Sequence, residues 1–289
     1  MHRQSPHILS SAPASSASDS GAFVTIDAWI GSVTRVAIRV GHSADPDDAF
    51  MFWALEAGRV DMRGLEFEQV VSDIQTLNEW AVEGRLEVTA ISAGAYPHVA
   101  DRYVLLPHGA SMGDGYGPIV VARDEVDLDD VEIVIPGRLT TAYLVLRLAL
   151  GEPRVRELPF DQILDEVRSG RADAGLLIHE GQLTYADAGL RKLLDLGAWW
   201  QQETGLPLPL GVNVARRDLD RLDDVSDVLG EAIRIGLENR EEALAYAERF
   251  GRGIDRETAD RFVAMYVNDL TTGDDDRGQR AIEELFRRA

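Results

Sequence analysis

His179 is the residue best placed for chemistry in this chain. It ends the apolar run Ala174-Gly175-Leu176-Leu177-Ile178 and stands directly before Glu180 and Gly181. An apolar run of this length after the helix stop Ser169-Gly170 reads as a buried parallel strand. In open α/β sheets ligands gather outside the carboxyl ends of strands, so an imidazole there sits where a general base is wanted. Its ordinary titration near neutrality suits proton abstraction at working pH. The competing reading is structural, since an isolated histidine after a strand more often only packs. His179-Glu180 lacks the HExxH spacing of a zinc site, so no metal is expected.

Three further stretches carry candidate groups. Gly137-Arg138-Leu139-Thr140-Thr141-Ala142 joins a strand to a helix. Hydroxyls and unpaired backbone N–H groups at a helix start form a cradle for a carboxylate or phosphate, beside the plainer reading of Thr140 as an N-cap. Asp45-Pro46-Asp47-Asp48 could hold a divalent cation, but is more simply a loop and first helical turn, where carboxylates meet the positive end of the dipole. Gly109-Ala110-Ser111-Met112-Gly113 matches the nucleophile-elbow pattern G-x-S-x-G. That motif needs a helix immediately afterwards, and here further glycines and Pro118 follow, which favours a hinge. His42, His98 and His108 have no supporting pattern, and Asp274-Asp275-Asp276 reads as a solvated loop.

The elements that must position these groups form an internal repeat. The first half runs from the strand Val36–Val40 through a helix starting near Asp47, a strand over Leu65–Val70 and a helix over Asp73–Glu83 to a strand over Val88–Ile91, leading to Ser92. The second runs from Val131–Ile135 through a helix over Thr140–Leu150, a strand over Val155–Leu158 and a helix over Phe160–Arg168 to Ala174–Ile178, leading to His179. Setting Gly84-Arg85 on Gly170-Arg171 brings Ser92 and His179 within one position of each other. Each half is a βαβαβ unit, and two such lobes facing each other enclose a cleft. This α/β arrangement resembles the two-lobe periplasmic-binding-protein-like architecture (type II). The crossings fall at Ile119–Ala122 and near 207–214. Residues 35–118 plus 211–289 are thus expected to form lobe 1 and residues 119–210 lobe 2, with 1–34 a disordered extension. Amphipathic helices over Val225–Glu238 and Arg240–Phe250 should pack back on the first lobe.

Composition narrows the function classes. The chain has 289 residues, enough to bury a sizeable core, and no cysteine, which excludes thiol nucleophiles and disulfides. A formal charge of −21 disfavours nucleic acid and anionic membrane surfaces as partners. No stretch approaches the length of a membrane span, and the Ser/Ala/Pro-rich start has no apolar h-region. A cytoplasmic protein is expected, and a homodimer is left open.

Taken together, several motifs resemble the menaquinone-biosynthesis enzymes of the futalosine route, in particular the branch that forms 1,4-dihydroxy-6-naphthoate. They are the stretches 41–50, Asp73-Ile74-Gln75-Thr76-Leu77-Asn78, 117–123, 136–142, Gly175-Leu176-Leu177-Ile178-His179-Glu180, and 195–211. The resemblance implies a cofactor-free cytoplasmic lyase that cleaves cyclic dehypoxanthine futalosine, a small-molecule carboxylate, with His179 as base. It also implies that Asn78, Ser92, Thr141 and Ala142 hold substrate; Ser43, from the first motif, and Thr140 join that set. One departure stands out. The first motif has Asp47 and Ala49 where the family usually has Asn and Thr, and it lacks the family's cysteine. Chorismate dehydratase shares the fold but generally lacks the His-Glu pair, and a solute-binding protein would need export.

Overall fold

Two sheets are built from alternating apolar strands and amphipathic helices, and each strand ends where a polar loop begins. The protein, known here from a computed structural model, is described over residues 37–250 and 255–289. The extension expected over 1–34 lies outside the described residues.

The first sheet is seeded by β1 (Ile38–Ser43), which pairs in parallel with β2 (Phe67–Ser72) and β3 (Val88–Ser92). Between these strands lie α1 (Pro46–Glu56) and α2 (Ile74–Glu83). Pro46 opens α1 because the first helical turn needs no N–H from that position, and the Asp73 carboxylate caps α2 by accepting from Thr76 N–H. β4 (Tyr103–Leu105) and β5 (Ser111–Gly113) follow. The glycine-rich segment expected as a hinge therefore also carries a short strand.

The second sheet begins at β6 (Ile119–Ala122), then β7 (Ile133–Ile135), α3 (Thr141–Leu150), β8 (Val155–Glu157), α4 (Phe160–Arg168) and β9 (Ala174–Leu177). A single turn, α5 (Gly181–Thr184), leads to β10 (Arg191–Asp195) and α6 (Leu196–Thr204). β11 (Leu208–Arg216) returns to the first sheet, pairing antiparallel with β3, β4 and β5. The strand orders are β2-β1-β3-β11-β4 and β10-β6-β9-β7-β8. α7 (Leu222–Glu238), α8 (Arg240–Ala247), α9 (Arg256–Tyr266) and α10 (Asp276–Arg288) complete the chain.

Most expected elements recur within a residue or two. β1 extends further than expected, through Gly41 and His42 to Ser43, because β2 continues to pair with it there. β10 escaped notice because Arg191 and Lys192 break the apolar pattern; it is an edge strand held by β6.

The core explains how the sheets stay together. One apolar cluster surrounds β1 and α1 and takes in Val228, Ile233, Ala243 and Ala247, so α7 and α8 do pack back on the first sheet. A second runs from Ile91, Met112 and Val212 of the first sheet to Val120, Ile135 and Leu176 of the second, with Val145, Trp200 and Leu285 between. Backbones touch where the chain crosses: a Cβ at Gly197 would overlap the Tyr116 carbonyl.

Candidate functional site

The cavity opens at the carboxyl ends of β1, β3 and β9, where the sheets face each other, and encloses about 670 Å³ including its mouth. Ser43, Ser92, Thr140, Thr141, Ala142 and His179 all line it, so the two halves of the repeat deliver their polar ends to one place. Asn78 does not line it. Buried behind Ser92, its amide donates to Ser92 Oγ at 3.0 Å and accepts from Ser92 N–H at 2.8 Å, fixing that residue from below.

His179 follows β9 with φ at 55°, a left-handed conformation that costs a non-glycine residue of order 1–3 kcal/mol and is typically retained at functional sites. Its ring meets Phe160 edge-on at 4.8 Å between centroids. Nδ1 lies 3.0 Å from the Asp45 carboxylate, which also accepts from Ser43 Oγ at 2.6 Å. Nε2 is buried without a protein partner. Burial pushes the imidazole pKa down, but the charge and hydrogen bond of Asp45, helped by the charge of Glu180, outweigh it, and the net shift is upward. With its nitrogen turned toward the Gly117 carbonyl, the Gln182 amide accepts from the His179 backbone N–H at 3.2 Å, and Tyr266 bonds to the same amide.

The first turn of α1 supplies two more buried carboxyls. Asp48 accepts from Ser43 N–H at 2.7 Å and Asp47 from Ser111 Oγ at 3.2 Å. Burial, then the neighbouring charges of Asp48 and Asp45, push Asp47 up to about 8, so it holds a proton at neutral pH. Burial pushes Asp48 up as well, against the pull of His42 and Ser43. The Asp45–Asp48 stretch is thus a helix start, and among the described residues no cluster of three or more His, Asp or Glu is arranged to hold a metal ion.

Opposite, Thr140 caps α3: its hydroxyl accepts from Tyr143 N–H at 3.2 Å and donates to Gly137 O at 2.8 Å. The Thr141 hydroxyl donates to Leu210 O at 2.7 Å and accepts from Gly94 N–H at 2.9 Å. Both hydroxyls expected for an anion cradle are therefore engaged within the protein. The groups left for a ligand are the first backbone N–H groups of α3, at Thr141 and Ala142, which have no intrahelical carbonyl to reach. Gly137, at φ 153°, keeps this turn open, because Gln75 fills the space a Cβ would need and accepts from Leu139 N–H at 3.3 Å.

Sequence reasoning did not single out Gln182, Phe262 or Tyr266, which line the cavity, and it read Asp45 and Asp47 as a helix start or a possible cation site without assigning them a part in the chemistry. For the loop aspartates a signal existed, since they follow a strand end as His179 does. Phe262 and Tyr266, one helical turn apart, read as ordinary core residues.

A two-sheet protein with its ligand cavity between the sheets is a periplasmic-binding-type fold. A Candida albicans protein described as having the generic periplasmic binding protein fold superposes with a TM-score of 0.63 at 14% identity, covering 87% of this chain and 90% of the other. The chain belongs to the menaquinone-biosynthesis family, whose model matches residues 38–289. A Thermus thermophilus relative named 1,4-dihydroxy-6-naphtoate synthase is 44% identical over 259 residues, 88% of this chain and 94% of the relative. The crystal structure of an Archaeoglobus fulgidus protein superposes with a TM-score of 0.84 at 49% identity, covering 88% of this chain and 96% of that one. Among the described residues no helix is long and apolar enough to cross a membrane.

Proposed function

We propose that this chain is a lyase that converts cyclic dehypoxanthine futalosine to 1,4-dihydroxy-6-naphthoate, with His179 Nε2 as general base. One observation carries the assignment of the base: Nε2 is a buried nitrogen without a protein partner, on a residue that lines the cavity between the sheets. The name of the Thermus thermophilus relative supports the reaction. The same reading puts the enzyme in the cytoplasm and needs neither metal nor redox cofactor.

The substrate carboxylate rests on the N–H groups of Thr141 and Ala142, where the helix dipole favours negative charge. Ser43 and Ser92 contact the remainder, and Asn78 acts by holding Ser92. Asp47, protonated, lowers the negative charge that an anionic substrate would otherwise meet. His179 Nε2 removes a proton from the sugar-derived ring, and the electron pair left behind expels the fragment. Formation of the aromatic naphthoate draws the step forward. The described residues up to 118 together with 211–289, and residues 119–210, act as the two walls of the cleft.

His179→Asn tests the assignment. The change keeps a polar side chain of similar reach but removes the base, so kcat should fall at least about 100-fold while binding persists. In the unaltered protein, activity should rise with pH through a limb above the ordinary imidazole value of 6.5, and the variant should lose that limb. Retention of more than about a tenth of the turnover removes His179 from the role. Absence of turnover in the unaltered protein, with chorismate tried in parallel, overturns the reaction itself.

A further inference from the structure

We infer that Asp45 is the positioning residue for His179, and that this His–Asp pair is assembled from opposite walls of the cleft. The inference rests on the assignment of His179 as base and goes beyond it by naming what orients the ring.

The geometry has four parts. Asp45 follows β1, at the carboxyl end of the first sheet, and His179 follows β9, at the carboxyl end of the second. Their side chains meet at 3.0 Å through Nδ1, and both are largely removed from water, with side-chain exposures of 3% for Asp45 and 16% for His179. Ser43 Oγ donates to the same Asp45 oxygen that faces the imidazole, so that oxygen is held in place independently of the histidine. The other ring nitrogen, Nε2, is left without a protein partner.

A carboxylate only accepts, so a neutral imidazole against Asp45 must carry its proton on Nδ1 and leave the Nε2 lone pair unprotonated. An imidazole that has taken up a proton is stabilised by the same carboxylate, which strengthens the base. Other charged or titratable groups face this pair as well. Glu180 adjoins it in sequence, and Asp47 lies on the first turn of α1. Tyr266 of α9 reaches it through Gln182, its hydroxyl pushed up by burial and so uncharged. Asp45 makes direct contact with the ring, at 3.0 Å.

The division across the cleft adds a consequence. The pair forms only when the sheets are as close as they are here, so any opening of the cleft separates base from orienting group. The Thr141 hydroxyl likewise ties the start of α3 to Gly94, just after β3, and to Leu210 of β11.

The test uses the full-length protein with isotope-labelled histidine, with the His179 resonances identified by their loss in His179→Asn. In the ligand-free protein the neutral ring should be the Nδ1–H tautomer, with a titration midpoint above 6.5. Asp45→Asn should lower that midpoint by about one unit or more, as expected for loss of an adjacent opposite charge. With substrate, Asp45→Asn should reduce kcat at least about tenfold, with KM changing far less, and should move the acid limb of the rate profile to lower pH. A wild-type ring protonated on Nε2 overturns the inference, as does an Asp45→Asn midpoint equal to wild type. The wild-type spectrum alone decides the tautomer should Asp45→Asn fail to fold. Because the titration needs no turnover, an inactive protein with the expected tautomer counts against the reaction and not against the pair.

Discussion

Asp47 gives the sharpest quantitative test of the electrostatics described above. In the folded protein its carboxyl is held at about 8, whereas in an unfolded chain it ionises near 3.9. Folding therefore takes up a proton between these values. Below about pH 4 both states are protonated and the group has no effect. As pH rises the unfolded state gains by ionising and the folded state does not, so stability falls by about 1.4 kcal/mol per pH unit until the folded value is passed. At pH 7 the accumulated loss is about 4 kcal/mol, spread over roughly three units. Asp47→Asn keeps the shape of the protonated acid and an oxygen to accept from Ser111 Oγ, but cannot ionise. Urea unfolding of both proteins from pH 5 to 8 should find the variant more stable at pH 7, by at most about 4 kcal/mol, with the difference shrinking toward pH 5. Subtracting the curves cancels to first order the titrating groups remote from this turn; Asp48, whose charge acts on Asp47, does not cancel, so the difference reports the two carboxyls together. A stability difference that is flat with pH would refute the argument, because it would mean that Asp47 is ionised in the folded protein.

Two structural predictions accompany it. Thr141→Val removes a hydroxyl that serves both Gly94 N–H and Leu210 O, leaving two backbone groups unpaired; a destabilisation of about 1–3 kcal/mol is expected in chemical denaturation, and an unchanged midpoint would contradict the bridging role. Gly197→Ala places a methyl group against the Tyr116 carbonyl, where backbone and not a flexible side chain must give way; the cost should be about 1–3 kcal/mol or more, read as a lowered melting temperature, and a neutral result would show that the crossing is looser than described.

The sequence alone determined most of the elements and the general location of the site. Apolar runs of four or five residues between helix stops fixed β3, β6 and β9, and the repeat of those signals brought Ser92 and His179 to equivalent strand ends, both of which line the cavity. These features are local: they depend on periodicity and on the turn chemistry of neighbouring residues. The start of α3 was legible for the same reason, with Thr140 placed as its cap.

Tertiary structure decided what those strand ends do to one another. Nothing near Asp45 in sequence distinguishes a helix-opening aspartate from one that meets an imidazole contributed by the other sheet. Burial of three carboxyls in one turn, which keeps Asp47 protonated, is likewise invisible in a sequence where such a turn ordinarily faces water. The use of the Thr141 hydroxyl was also hidden, because its partners Gly94 and Leu210 lie in distant segments. Pattern along the chain reports which face of an element is apolar. Desolvation, charge pairing and hydrogen-bond satisfaction depend on which elements meet, and that is decided by how the two sheets pack against each other.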